Sequence, residues 1–431
     1  MSEEVNTTPP PKPRSIWSKL PRVLGPGLIT GASDDDPSGI ATYSQAGARF
    51  GYALGWTIVF TYPLMTAVQM ISARIGRTTG HGIAGNLRRH YPNWLVLSTV
   101  TLLLVANIIN IGADLGAMAD ATRLVIGGPA GIYLVAFAVI CAVVPVFMDY
   151  RRYVAVLKWL TLALLAYIAT LVLVDVEWSA ALYRMAVPQI AWDKDSWAMV
   201  VAIFGTTISP YLFFWQAEQE AEDTKVDAAL QPLNDAPAQG PDALQRIELD
   251  TIIGMGASNI VALAIVLATA ATLHAAGTTE IETSAQAAEA LRPIAGPYAA
   301  TLFALGIAGT GLLAVPVLGS SAAYAIGEAL HWRVGLARKP KKAKAFYGTL
   351  VVATLLGAVL NFSPIPPMTA LYWAAVLNGI VAVPVLVIMM LLSARQDVMG
   401  GFVVRGPLKC LGWLTAFLMA ASVVALVVTS V

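Results

Sequence analysis

Residues 25–48 read GPGLITGASDDDPSGIATYSQAGA. The apolar and small residues on either side of the centre are right for a membrane-spanning helix, but neither flank is long enough to cross alone, since about 20 residues are needed. Three consecutive carboxylates, Asp34, Asp35 and Asp36, occupy the middle, followed by Pro37, Ser38 and Gly39. Pro37 removes an amide donor and clashes with the preceding turn, and Gly39 weakens the helix further. The stretch is therefore expected to be one span with an unwound centre. The plainer alternative is an ordinary loop between two short apolar segments. Ionisable residues inside a span are expensive and mark function by default. Unwound backbone at that depth is tolerated only where it lines a cavity. Carboxylates and free carbonyls together make an oxygen-rich site for a cation.

Working outward, 57% of the 431 residues are hydrophobic and 12% charged, against about 25% charged in soluble domains. Too little polar surface remains to cover a water-soluble globule, so the lipid bilayer is an expected partner. A net charge of +1 gives no case for nucleic acid. Cys141 and Cys410 sit in or beside apolar runs and supply neither metal-ligand spacing nor a disulfide framework. Residues 1–22 are expected to be a disordered tail, because MSEEVNTTPPPKPRSIW is polar and Pro-rich with no apolar signal core behind it. Residues 23–431 form one all-α transmembrane domain of eleven spans in this reading: 24–47, 53–73, 94–122, 130–148, 153–174, 196–220, 249–273, 298–326, 346–362, 368–392 and 409–430. With the N-terminus inside, the inner segments hold 21 Lys and Arg and the outer loops only Arg49, Arg123, Arg184, Lys194 and Arg292, with Lys158 near a span end. That bias orients the N-terminus to the cytoplasm and the C-terminus outside the plasma (inner) membrane. Residues 223–247 read as a cytoplasmic linker. Residues 274–297 read as an acidic outer loop in which SAQAAEALRPIAG (284–296) has the pattern of a short amphipathic helix.

Span six repeats the pattern of span one. Residues 197–223, WAMVVAIFGTTISPYLFFWQAEQEAED, place Gly205, Thr206, Thr207, Ser209 and Pro210 at mid-span. Interrupted helices at matching positions of two halves point to a binding site in inverted-repeat transporters; a simple Pro kink is the alternative for span six alone. The repeats would be 23–174 and 196–392, with 409–430 appended. In span three, Asn107, Asn110 and Asp114 lie close to one helix face, either as part of the site or as polar packing. Span seven offers Asp250, Ser258 and Asn259, span eight is Gly-rich, and span ten carries Asn378-Gly379. The four histidines fall in loops. No H-E-x-x-H or G-x-S-x-G is present, which speaks against an enzyme.

Gly25-Pro26-Gly27 followed by Asp36-Pro37-Ser38-Gly39 resembles span one of the NRAMP (natural resistance-associated macrophage protein) divalent-metal transporters, which show Gly-Pro-Gly and Asp-Pro-Gly-Asn at that interval. Gly205 to Tyr211 is similar to their span-six motif ending Met-Pro-His, and Gly112 to Ala117 to their span-three Ala-Thr-Asp-Leu-Ala-Glu. The resemblance implies a LeuT-like fold with inverted 5+5 repeats and broken helices one and six, working by alternating access. It implies a divalent metal ion as substrate, no cofactor, and a monomer. Ligands carried over onto this chain are Asp36, Ser209, Gly39 and the carbonyls of Ser33 and Thr206, with Asn378 added by position. Asp34, Asp35, Ser38, Asp114, Thr207 and Tyr211 would surround them.

The departures matter equally. The family's Asn becomes Gly39, its Met becomes Ser209, its His becomes Tyr211 and its span-three Glu becomes Ala117. No counterpart of its span-nine arginine pair is seen, Arg338 and Lys339 lying in the preceding loop. These changes are similar to those of the NRAMP-related magnesium transporter branch. Thioether sulfur selects softer metals, whereas carboxylate, carbonyl and water suit Mg²⁺ and Mn²⁺. Mg²⁺ also keeps several waters when bound, and small Gly39 and Ser209 leave room for them. The expectation is thus Mg²⁺ or Mn²⁺ carried partly hydrated and without protons. Alternatives are a proton-coupled Mn²⁺/Fe²⁺ importer, a channel, or a LeuT-fold symporter of a small organic solute. Helix N-termini would favour an anionic group on such a solute, but the three carboxylates oppose it.

Overall fold

The computed structural model describes residues 26–148 and 162–431. The expected tail 1–22, Gly25, and the first part of span five lie outside the described residues. Span one is two helices, α1 (Pro26–Asp34) and α2 (Pro37–Phe50), separated by Asp35 and Asp36. At a rise of about 1.5 Å per residue neither piece could cross about 30 Å of hydrocarbon, but in series they do. Asp36 is the N-cap of α2: its backbone is extended (φ −68°, ψ 170°) and its Oδ1 accepts from the Gly39 amide at 2.7 Å. Pro37 fills the first helical position, where a missing N–H does no harm.

The chain continues through α3 (Gly55–Thr79), α4 (Ile83–His90), α5 (Asn93–Ile126), α6 (Ala130–Phe147), α7 (Leu165–Leu173) and α8 (Trp178–Ala186). Span six is again two pieces, α9 (Lys194–Thr207) and α10 (Pro210–Val226). Here Ser209 stands at the N-cap position with Pro210 behind it, but its hydroxyl caps nothing. Then follow α11 (Gly240–Thr269), α12 (Ser284–Glu289), α13 (Ala299–Ala329), α14 (Lys344–Leu360), α15 (Pro367–Ser393) and α16 (Gly406–Ser430). Among the described residues, eight helical stretches are long and apolar enough to cross a membrane. The two broken spans sit at the centre. α1 packs on α11 and α10, α2 on α11, α15 and α9, and α5 lies against α13, α14 and α15. α16 packs on α9, α15 and α3.

Some boundaries move for physical reasons. Span two was expected to stop at 73 but runs to Thr79, because Arg77 is 2% exposed. Its guanidinium donates to the Gln231 carbonyl and, at 2.7 Å, to Gln239 Oε1. Span seven begins at Gly240, inside the expected linker, because Arg246 pairs with the buried Glu220 of α10. The remaining connection, 227–239, is tied down: the amides of Leu233 and Asn234 donate to the carbonyls of Arg77 and Thr78 at 3.2 and 3.1 Å. The amphipathic outer segment is helical over Ser284–Glu289, opened by a capping box between Thr283 and Gln286. α4 and α8 stand where the sequence pattern predicts loop. α4 is only eight residues long, and its amides at Gly82 and Gly85 are satisfied by Glu328, 246 and 243 residues away.

Glycines set how closely the central helices meet. A Cβ on Gly31 of α1 would collide with the backbone of Gly254 on α11, and one on Gly205 of α9 with the backbone of Ala375 and Gly379 on α15. Gly205→Val is expected to push α9 off α15 and destabilise the protein by about 3 kcal/mol or more, the upper end for overpacking. The thermal unfolding midpoint of the purified protein checks this; an unchanged midpoint would show that the contact yields.

Candidate functional site

The two breaks face each other. Tyr211, on the first turn of α10, reaches back to α1: its hydroxyl lies 3.0 Å from the Ser33 carbonyl and 3.1 Å from Asp36 Oδ2. A phenol placed only at the periphery by sequence thus bridges two expected ligands. Asp36 presents one oxygen to the Gly39 amide and the other to Tyr211, and is 1% exposed. Gly39 itself contributes its amide and its small size. A Cβ there would stand 3.1 Å from Thr206 Oγ1 and 3.2 Å from the Asp34 carbonyl. A larger residue would wedge the two broken spans apart unless its neighbours shifted. Ser209 turns its hydroxyl back onto the last turn of α9, 2.6 Å from the Gly205 carbonyl and 3.1 Å from that of Thr206. It also leaves the bulk of the site to others, being smaller than a thioether. The Thr207 hydroxyl donates to the Ile203 carbonyl at 2.8 Å, within α9.

Asp34 and Asp35 form a separate pair. The Ser258 hydroxyl of α11 stands 2.6 Å from Asp34 Oδ2 and 3.1 Å from Asp35 Oδ1. Sequence reasoning noted Ser258 without assigning it to the site; nothing in its local pattern shows that it faces residues 223 positions away. Asp114 on α5 is fully buried, beside the Ser38 amide and the Asp36 carboxylate, and neither of its oxygens has a hydrogen bond of ordinary geometry. Ser38 is buried on the first turn of α2. Asn378 is not presented at the break. Its Oδ1 accepts from Asn110 at 2.8 Å and its Nδ2 donates back at 3.0 Å, which ties α15 to α5. Asn107 donates to the Leu318 carbonyl at 3.0 Å. Of the three polar residues on that face of α5, two are packing links and one, Asp114, turns to the site.

Electrostatics single this centre out. Asp34, Asp35, Asp36 and Asp114 are each no more than 5% exposed. Among the described residues none is in an ion pair with Lys or Arg. Several carboxylates removed from water without a cation carry a heavy desolvation penalty. Among the described residues no three His, Cys, Asp or Glu are grouped as a metal cage. At the break itself the Asp36 carboxylate, the Ser33 carbonyl and the Tyr211 hydroxyl come together.

Polar contacts hold the broken spans to their neighbours on both sides of the site. Toward the Pro26 end, the Gly27 amide donates to Asp250 Oδ2 at 2.7 Å and the Thr30 hydroxyl bonds to Gln216 Oε1. Toward the Phe50 end, Arg49 pairs with Asp195 at 2.5 Å and His274 Nδ1 lies 2.8 Å from the Ala48 carbonyl.

Broken spans one and six around a buried oxygen-lined centre define a transporter of LeuT-like fold. The solved structure of MhsT in complex with L-phenylalanine superposes with a TM-score of 0.58 at 14% identity, covering 94% of this chain and 98% of that one. A manganese transporter from Eremococcus coleocola matches with a TM-score of 0.73 at 17% identity, covering 97% of this chain and 88% of the other. The sequence model described as natural resistance-associated macrophage protein-like matches residues 27–429, and the chain belongs to this Nramp family. Relatives named divalent metal cation transporter MntH include that of Burkholderia ambifaria, 27% identical over 91% of this chain and 85% of its own length. That of Deinococcus radiodurans is 27% identical over 95% of this chain and 90% of its own length. The chain is an integral membrane transporter and not an enzyme.

Proposed function

We propose that this protein carries a hard divalent cation, Mg²⁺ with Mn²⁺ as a close competitor, across the membrane by alternating access, partly hydrated and without coupled proton flow. The observation that carries this reading is the set of buried carboxylates without a protein cation. Asp36 would bind the ion directly, with the carbonyls of Ser33 and Thr206 and waters completing the shell. Tyr211 would yield the Ser33 carbonyl and one Asp36 oxygen when the ion arrives. Small Gly39 and Ser209 would leave the space that retained water needs. Asp34, Asp35 and Asp114 would supply attraction from outside the shell. Asn378 is left out of the set because its amide is engaged with Asn110.

The relatives' names speak for divalent metal in general. The absence of a thioether at Ser209 speaks for the hard end of that class. Tyr211 and Ala117, where the resemblance places His and Glu, speak against a proton relay. The excess of Lys and Arg on the segments that share the N-terminus's side of the membrane supports a cytoplasmic N-terminus. Proteoliposomes holding an ion-sensitive dye and a pH dye test the proposal together. The expected result is uptake of both Mg²⁺ and Mn²⁺ with no metal-driven acidification of the lumen. Mn²⁺ uptake that excludes Mg²⁺ would overturn the choice of ion, and acidification would favour a proton-coupled importer.

A further inference from the structure

Away from the transport centre, an apolar groove of about 380 Å³ opens on the outer surface of the bundle between α5, α13 and α14. It is lined by Leu104 and Ile108 of α5, Ile326 of α13, and Val352 and Leu356 of α14, with Trp332 of the connection that follows α13. Along α14 it runs from Ala345 to Leu356, roughly 16 Å at the helical rise, which is about half the hydrocarbon thickness. Trp332 is 39% exposed, as tryptophans at the headgroup level commonly are.

Directly beyond Trp332 runs the rest of the connection from α13 to α14. It carries Arg333, Arg338, Lys339, Lys341, Lys342 and Lys344, all exposed. From residue 329 to 344 there is no Asp or Glu, and among the described residues none of the six cations is in an ion pair. The loop is held in place: Glu222 accepts from the amides of Leu336 and Ala337 at 3.1 and 2.6 Å. The Tyr347 hydroxyl lies 3.0 Å from the carbonyls of both Leu336 and Arg338. A fixed array of unpaired cations thus stands over an apolar slot of acyl-chain dimensions.

We propose that this groove and loop together bind a phospholipid with an anionic headgroup, its chain in the slot and its phosphate among Lys341, Lys342 and Lys344. Basic residues beside grooves between spans recognise anionic lipid in this way. A second copy of the chain is the poorer occupant. A two-fold contact sets the same patch against itself and would oppose six positive charges to six.

The test uses the full chain purified in detergent, exposed to an equimolar mixture of phosphatidylglycerol and phosphatidylcholine with matched chains and washed, with retained lipid measured by mass spectrometry. The unaltered protein should retain phosphatidylglycerol over phosphatidylcholine by about fivefold or more. Replacing Lys341, Lys342 and Lys344 with Gln, all at exposed positions, should bring the two lipids close to parity. Gly348→Phe should reduce retention of both to about a third or less, through loss of the slot. A Cβ at Gly348 meets nothing within 4 Å, so its unfolding midpoint in lipid-free detergent should stay that of the parent. Equal retention of the two lipids by the unaltered protein overturns the proposal, as does the parent's preference persisting in the lysine variant. If Gly348→Phe instead dissociates a dimer measured by light scattering while lipid retention is unchanged, the groove is a contact between copies and the lipid assignment falls.

Discussion

Asp36→Ala should abolish ion uptake, lowering the initial rate in proteoliposomes by about 100-fold or more. The side chain has two separable roles. It caps α2 through Gly39, a contribution of about 1 kcal/mol, and it places a charge where the ion would sit. Asp36→Asn separates them. The amide oxygen can still accept from the Gly39 N–H, so the helix start is kept, but the negative charge is gone. Both variants should therefore fail in transport, while only Asp36→Ala loses measurable thermal stability. Uptake at the parent's rate in Asp36→Asn would refute direct binding by the carboxylate and return the role to Asp34, Asp35 or Asp114. The same logic bears on the bridge from Tyr211, which meets Asp36 and the Ser33 carbonyl together: its hydroxyl occupies ligand atoms that the ion would need.

Ser209→Met should change which ion is preferred more than how fast any ion moves. Ser209 lies at the opening of α10 with its hydroxyl folded onto the Gly205 and Thr206 carbonyls. A thioether cannot make those bonds. It would free the Thr206 carbonyl and set a polarizable sulfur in its place, which favours softer metals. The uptake ratio of Mn²⁺ to Mg²⁺ should rise by about tenfold or more, equivalent to about 1.4 kcal/mol of discrimination. Competition of each ion against the other, measured in the same vesicles, gives the ratio without needing absolute rates. An unchanged ratio would place residue 209 outside the ion's reach and remove the main argument for a hard substrate.

The breaks were legible in the sequence because proline leaves a local mark: Pro37 and Pro210 each open the second half of a broken span where the pattern placed them. The pairing of those halves was also legible, through the matching positions of two small and polar centres. What could not be read was long-range polar geometry. Thr30 and Gln216 meet across 186 positions, and Ser258 and Asp34 across 224, with no local periodicity to announce either. Asn378 shows the complementary difficulty. Mid-span depth made it a candidate ligand, yet depth does not tell a binding amide from a packing one, and Asn110 engages both its oxygen and its nitrogen. The charged first turns of α11 read as solvent-exposed linker because Arg246 was weighed without its partner Glu220. In each case the deciding fact was which helix lay opposite.

The close approach of Gly31 to Gly254 bears on speed. Most helix contacts interdigitate, ridge into groove, so that sliding one helix past another means lifting side chains over each other. At this seam the backbones touch with nothing projecting between them. On the Pro26 side, two named polar ties, Gly27 to Asp250 and Thr30 to Gln216, fix α1 in its place. Once these ties and the Ser258 hydrogen bonds to Asp34 and Asp35 part, little side-chain repacking at the glycine contact would oppose movement of α1 along α11. A single methyl group on Gly31 would meet the Gly254 backbone and catch on every such movement.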